Sequence, residues 1–210
     1  MSRKTVYGKT SDLVLGRVRK AKRQWGGAFT PSDFTDIGDL RSVGMVLSRL
    51  VKKGTIRRVR RGVYELPNPH PILGTVGAGP DAVLAAIARR DGFALLPSGA
   101  ESANSLGLST QVPMKSVFYT SGPSRKIHVG CQEVLLKHAN SRLLAFGNGP
   151  VGIVFAALWY MGKNQVTPET LKTVRGKLTS SEFSELRRSA QLPPWLTEAF
   201  QKLEKAEGHG

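Results

Sequence analysis

Ten side chains between residues 41 and 61 have the chemistry that contacts nucleic acid. Arginine and lysine bind phosphate, and arginine can donate two hydrogen bonds to the major-groove edge of guanine. Serine can bond to several base edges, and an apolar side chain can contact the thymine methyl group. The candidates are Arg41, Ser42, Met45, Ser48, Arg49, Lys52, Arg57, Arg58, Arg60 and Arg61. They can act together only if secondary structure brings them to one surface.

The positive charge of the chain is concentrated near these candidates. The 210 residues contain 31 Lys or Arg against 15 Asp or Glu, a net charge of +16. Residues 1–66 alone hold 16 Lys or Arg against 5 Asp or Glu, so they carry +11 of it. A charge needed only for solubility has no reason to concentrate, whereas a polyanionic partner requires a local patch. The distribution therefore favours a nucleic acid as the partner of the first third.

Three helices are predicted in that first third. The first covers residues 10–24. A short second helix begins at Pro31 after the cap residue Thr30, with Phe29 and Phe34 as apolar anchors. Asp39 caps the third, over residues 40–53, whose apolar stripe lies opposite the candidates 41–52. That stripe consists of Leu40, Val43, Val46, Leu47, Leu50 and Val51.

A basic hairpin follows the third helix. Residues 55–59 and 63–66 are two β-favouring runs, and the glycine-containing turn Arg60-Arg61-Gly62 lies between them. The order of helix, short helix, turn, amphipathic helix and basic hairpin is that of a winged helix-turn-helix. Its third helix would enter the major groove of double-stranded DNA, and Arg60 and Arg61 would reach phosphates or the minor groove.

Two weaker interpretations remain open. The helix and hairpin could be basic only to stay hydrated, although the charge coincides with a complete motif order. The same domain could bind RNA, but no aromatic stacking platform of the RNA-recognition type is visible.

The rest of the chain has a different pattern, which predicts a second domain. Three prolines, at positions 67, 69 and 71, predict a linker or a rigid crossing. Helices are predicted over 80–91, 98–106, 150–162, 167–177, 180–190 and 193–205, and strands over Ser116–Thr120, Arg125–Val129 and 133–138. We expect an α+β chain: a winged helix-turn-helix over 1–68, then a second, mixed α/β domain over 69–210 that ends in helices.

Other chemistry-bearing residues do not form a set that predicts catalysis, a cofactor or a metal. Asp33, Asp36 and Asp39 are better placed as cap and first-turn carboxylates than as metal ligands. The four histidines lack ligand spacing, and Ser98 is expected to cap a helix rather than to attack a substrate. Gly74, Gly77 and Gly79 lack the strand and lysine of a phosphate loop, so a flexible loop is expected. The single cysteine, Cys131, excludes an intramolecular disulfide and is read as a strand residue.

The chain shows no membrane-spanning segment and no signal-peptide pattern in its first 25 residues, which predicts a cytoplasmic location.

Two stretches resemble the AbiEi-type antitoxins of type IV (abortive infection) toxin–antitoxin systems, particularly short winged-helix relatives. The first stretch consists of residues 27–34, 46–50, 54–58 and 61–64. The second consists of residues 96–100, 104–108, 111–113 and 119–125. Together they cover roughly residues 15–165, and the second stretch is the more distinctive.

The resemblance implies an antitoxin that represses its own operon. Its winged helix would bind inverted repeats in its own promoter, and its second domain would counter a cognate nucleotidyltransferase-like toxin. Two alternatives remain: a stand-alone winged-helix regulator whose second domain senses a ligand or dimerises, and an enzyme with a nucleic-acid-binding appendage. A palindromic site requires two copies, as a preformed homodimer or as monomers that meet on the DNA.

Overall fold

The computed structural model describes residues 3–72, 74–129 and 132–207. Over these residues the chain is an α+β protein with eight α-helices and three small sheets, and it ends in helices. The predicted fold class is confirmed at this level. The chain divides into two compact units, Met1–Gly92 with His128–Gln132, and Phe93–Ile127 with Glu133–Gly210. Cys131 and His209 lie outside the described residues.

The first unit contains the elements that carry the candidate residues. In chain order these are α1 (Arg3–Trp25), β1 (Ala28–Phe29), a 3₁₀ helix (Pro31–Phe34), α2 (Leu40–Lys52), β2 (Arg57–Arg60), β3 (Val63–Glu65), β4 (Asn68–His70), β5 (Gly74–Val76) and α3 (Pro80–Asp91). The predicted helices over 40–53 and 80–91 are confirmed, and so is the short helix after Thr30. The helix predicted over 10–24 is present, but α1 begins at Arg3, seven residues before the predicted start. The predicted hairpin is confirmed as β2 and β3.

The core of the first unit joins α1 and α2 to the sheet. Val14 and Val18 of α1 are fully buried, as are Phe29 and Phe34, whose rings meet edge to face at 5.7 Å. Consecutive residues of an α-helix point about 100° apart, so a residue next to a buried one can lie outside the core. Leu13 is therefore 51 % exposed beside buried Val14.

Leu40 was predicted in the apolar stripe of α2 but is 55 % exposed. It is the first residue of the helix, where no preceding turn covers it. The remaining stripe positions agree better: Val43, Val46, Leu47 and Leu50 are buried, and Val51 is half-buried.

A three-stranded antiparallel sheet carries the hairpin, with β3 between β1 and β2. Tyr64 of β3 pairs with Phe29 on one side and Arg58 on the other. The register shifts between Arg58 and Arg60, so β2 carries an irregularity next to the turn. Gly62, with φ of 74°, allows the tight reversal that follows.

The proline-rich stretch after residue 66 was predicted as a linker, but residues Asn68–His70 form β4, antiparallel to β5. Pro69 is tolerated because both strands of this two-stranded sheet are edges. Gly74, predicted in a flexible loop, lies in β5. The following helix α3 belongs to the first compact unit, beyond the boundary predicted at residue 68; that boundary, as a division between domains, stays a prediction.

After Gly92 the chain forms β6 (Leu95–Pro97), α4 (Gly99–Ser105), β7 (Ser116–Thr120), β8 (Arg125–Val129), β9 (Gln132–His138), α5 (Pro150–Met161), α6 (Pro168–Arg175), α7 (Ser180–Arg188) and α8 (Pro194–Glu207). The sheet order is β6-β7-β9-β8, with β6 antiparallel and β9 parallel to β7. The apolar core of these helices includes Phe155, Leu171, Leu186 and Phe200. The predicted strands and helices of this region are confirmed, whereas β6 was not predicted.

Candidate nucleic-acid interface

Asp39 fixes the start of α2, as predicted. Its Oδ1 accepts hydrogen bonds from the backbone N–H groups of Arg41 at 3.0 Å and Ser42 at 2.9 Å, and the Ser42 hydroxyl donates to Oδ2 at 2.7 Å. The hydrogen bonds from Ser42 and Arg41 lower the pKa of the Asp39 carboxyl, so it is charged at neutral pH. The candidate hydroxyl of Ser42 is thus bonded to the cap of its own helix.

One face of α2 is exposed along its full length and, apart from Met45, polar. Its residues recur at the spacing of neighbouring turns, and they are Arg41, Met45, Ser48, Arg49 and Lys52. Met45 is 38 % exposed in the middle of this face, where burial does not explain an apolar side chain. We call these five residues the α2 face.

The cations of the α2 face have no partner of their own. Among the described residues, the side chains of Arg41, Arg49 and Lys52 make no hydrogen bond or ion pair. Each is exposed. An exposed cation without an intramolecular partner can give its donors to an external anion without first breaking a bond.

The arginines of the hairpin differ in whether another residue holds the side chain. Arg57 is held by Glu65 across the β2–β3 pair, with Nε to Oε1 at 2.7 Å, and Glu65 is 5 % exposed. Arg58 donates from Nε to the carbonyl oxygen of Arg60 at 3.4 Å. The side chains of Arg60 and Arg61, at the tip, are exposed and have no partner within the described part of the chain.

Most carboxylates of the first unit neutralise arginines that lie outside the α2 face and the hairpin tip. Asp36 forms a two-point ion pair with Arg17, at 2.5 and 2.7 Å, and the Arg17 hydrogen bonds lower the pKa of the Asp36 carboxyl. Asp33 pairs with Arg89 at 2.9 Å. Together with Asp39 as a cap, these bonds give the three regularly spaced aspartates separate structural partners.

Glu65 was not singled out in the sequence, yet it organises one side of the hairpin. Besides Arg57, it accepts a hydrogen bond from the backbone N–H of Ala78 at 2.8 Å. A Cβ on Gly77 would lie 2.5 Å from Glu65 Oε2 and 2.6 Å from Arg57 Nη2. Because glycine has no Cβ, the backbone at Gly77 can lie close to the paired side chains of Arg57 and Glu65, which explains one glycine of the predicted loop. In the sequence, the signal that could have identified Glu65 was its position as an acidic residue in the strand that follows four arginines.

The stretch that carries the distinctive resemblance has structural roles wherever its contacts are described. Ser98 caps α4, as predicted, and accepts from the N–H of Glu101 at 3.4 Å. The hydroxyls of Ser121 and Ser124 accept from the N–H groups of Ala94 and His138, both at 2.8 Å. These bonds build the loops around β7 and assign none of these hydroxyls to a reaction.

Gly99→Ala is expected to lower the free energy of unfolding by about 1–3 kcal/mol, the usual cost of overpacking. A Cβ at this position would overlap Cβ of Tyr160 and lie 2.6 Å from the carbonyl oxygen of Ala156. Urea denaturation of the full chain measures the change. Gly149→Ala is the matched control, because a Cβ there meets nothing within 4 Å. Equal stability of the two variants would show that α4 does not pack on α5 at Gly99.

Neither a metal site nor a membrane span is found in the described residues. Residues 3–72, 74–129 and 132–207 contain no group of three His, Cys, Asp or Glu side chains placed to hold a metal ion. None of the helices over the same ranges combines the length and the apolar content that crossing a bilayer requires.

The fold and the site define a class: an α+β protein whose first compact unit presents a cationic helix face and a cationic hairpin tip. The chain belongs to DUF6088, described as a family of unknown function, which matches residues 14–186. The match begins in α1 and ends in α7, so it includes every candidate residue. No curated protein matches the chain significantly.

Proposed function

We propose that the first unit is a winged helix-turn-helix that binds double-stranded DNA and that the protein represses its own promoter. The element order supports the proposal: α1, β1, 3₁₀ helix, α2, β2 and β3, with the strands ordered β1-β3-β2. In that arrangement α2 is the recognition helix and the β2–β3 hairpin is the wing.

One observation carries the proposal: the carboxylates of the first unit leave the cations of the α2 face and of the hairpin tip without partners. Arg17, Arg57 and Arg89 are paired with Asp36, Glu65 and Asp33. The cations of the α2 face and of the hairpin tip are exposed and unpaired within the described residues. Arg19 and Arg23 of α1 are also exposed and unpaired among the described residues, so the proposal depends on where the free cations lie: together along one helix face and at a hairpin tip, where a DNA-binding surface needs donors.

The dimensions of α2 suit the major groove. Its 13 residues make a helix about 20 Å long, and the groove is wide enough for one helix. Arg41 lies in the first turn, the end that usually contacts base edges, and can donate two hydrogen bonds to guanine. Met45 offers an apolar contact to a thymine methyl group, and Lys52 at the other end suits a phosphate.

The second unit is proposed to counter a nucleotidyltransferase-like toxin, as in AbiEi-type antitoxins. This part of the proposal rests on the resemblance of residues 96–125, in which the hydroxyls of Ser98, Ser121 and Ser124 accept hydrogen bonds from the backbone. The alternative function is a stand-alone regulator whose second unit senses a ligand or dimerises.

A gel-shift titration of the full chain on its own upstream DNA tests the proposal. Random-sequence DNA serves as the competitor, at two salt concentrations, because non-specific binding is mainly electrostatic and falls steeply with salt. We expect a shift that survives the competitor and rises in discrete steps, which also counts the copies per site. A salt-sensitive smear that is equal on both DNAs would contradict a regulator and leave only a polyanion binder.

A further inference from the structure

The last turn of α3 carries two arginines that hold the DNA-binding elements together. Arg89 pairs with Asp33 of the 3₁₀ helix and donates from Nη2 to the carbonyl oxygen of Ala28 in β1 at 3.2 Å. Its guanidinium also lies 5.6 Å from the ring centroid of Trp25, at the end of α1. A single side chain thereby joins α3 to three other elements of the first unit.

Arg90 does the same for the hairpin tip. Its Nη1 donates to the backbone carbonyl oxygen of Arg61 at 3.2 Å. Its Nε and Nη2 donate to the two carboxylate oxygens of Asp91 at 2.7 and 3.1 Å. The hydrogen bonds that Arg90 donates to Asp91 raise the pKa of Arg90, which keeps it cationic, and they orient the guanidinium so that Nη1 faces the turn.

The turn residue next to Arg61 fits this contact. A Cβ on Gly62 would lie 3.3 Å from Arg90 Nη1, and Gly62 has a positive φ that side chains rarely adopt. The Arg61 backbone is therefore fastened to α3, while its own guanidinium is exposed and unpaired among the described residues. The guanidinium of Arg61 is therefore free to bind an anion while the backbone that carries it is held in place.

We infer that Arg90 is a positioning residue for the proposed wing: it fixes the backbone of Arg61 so that the Arg61 side chain meets DNA without first ordering the turn. The inference rests on the proposed function. Preordering a loop strengthens binding because less conformational entropy is lost on association. Nε, Nη1 and Nη2 of Arg90 each donate a hydrogen bond within the first unit, and we assign the role of Arg90 to its contact with Arg61.

A double-mutant cycle in the full chain tests the inference, with DNA affinity measured by fluorescence anisotropy. We expect Arg90→Ala to weaken binding by about 3- to 10-fold, the loss of one ordered side chain. In the Arg61→Ala background, Arg90→Ala should cause no further loss. Arg188→Ala, an exposed arginine of α7, controls for the removal of one positive charge.

Arg90→Lys separates positioning from charge and also serves if Arg90→Ala fails to fold. Lysine keeps the charge but lacks the planar fork that holds Asp91 and Arg61 together. We expect Arg90→Lys to bind as weakly as Arg90→Ala, with a melting temperature close to the unmodified protein. Additive losses in the cycle, or full affinity in Arg90→Lys, would overturn the positioning role while the DNA-binding proposal stands. Failure of the unmodified chain to bind any duplex would overturn both.

Discussion

Replacing Arg41 with alanine is expected to weaken binding to the operator by about 1–3 kcal/mol, roughly 5- to 150-fold. Arg41 lies in the first turn of α2, its backbone N–H is fixed by Asp39, and its side chain has no partner among the described residues. If it donates two hydrogen bonds to a guanine, the alanine variant loses sequence discrimination as well as affinity. Random DNA should therefore be affected much less.

Arg49→Ala should follow the same pattern, because Arg49 lies two turns along the same face. Anisotropy titrations on operator and scrambled duplexes measure both losses. Arg19→Ala is the matched control: Arg19 is also exposed in the first unit, but it lies on α1, beside Val18, which is buried in the core shared with α2. Equal losses on the two duplexes would assign Arg41 and Arg49 to phosphates. Losses no larger than that of Arg19→Ala would remove α2 from the interface.

The sequence predicted the helices well because their ends are determined by local chemistry. Asp39 bonds to the first turn of α2, and Pro31, Pro80 and Pro150 occupy first helical positions where no backbone N–H is needed. Thr179 likewise caps α7 and exchanges hydrogen bonds with Glu182. These signals lie within three or four residues of one another, so they can be read without knowing the fold.

The parts that could not be predicted depend on contacts between distant residues. Asp33 and Arg89 are 56 positions apart, and Arg61 and Arg90 are 29 apart. No local pattern announces such pairs, which require the positions of whole elements. The short strands β1 and β6 were also missed, because a strand of two or three residues shows too little hydrophobic periodicity to be recognised.

The same contacts divide the ten candidate residues into groups that the sequence could not separate. Arg57 and Arg58 look alike in the sequence as neighbours of Arg60, but only Arg57 faces a buried carboxylate. Removing Arg57 would leave Glu65 buried with one fewer donor, so a loss of DNA binding there would be confounded by a loss of stability. Replacing Arg60 and Arg61 at the hairpin tip leaves no buried carboxylate without a donor, so these residues give the cleaner test of the proposed wing.

The double variant Arg60→Ala with Arg61→Ala is expected to lower DNA affinity and to flatten its salt dependence. Each phosphate that a protein cation neutralises contributes about 0.9 to the slope of log affinity against log salt on duplex DNA. Two lost contacts should therefore reduce the slope by about 1.8. Binding titrations at four or more salt concentrations measure it, on random as well as operator DNA, since phosphate contacts carry no sequence information.

The matched control is Arg60→Lys with Arg61→Lys, which keeps both charges at the tip. If the tip contacts only phosphates, the lysine variant should keep the slope and nearly all of the affinity. If the tip enters a narrow minor groove, affinity for A·T-rich operator DNA should fall while the slope stays, because the planar guanidinium and the ammonium are not equivalent there. An unchanged slope in the alanine variant would mean that the hairpin does not touch DNA, and recognition would then depend on the α2 face alone.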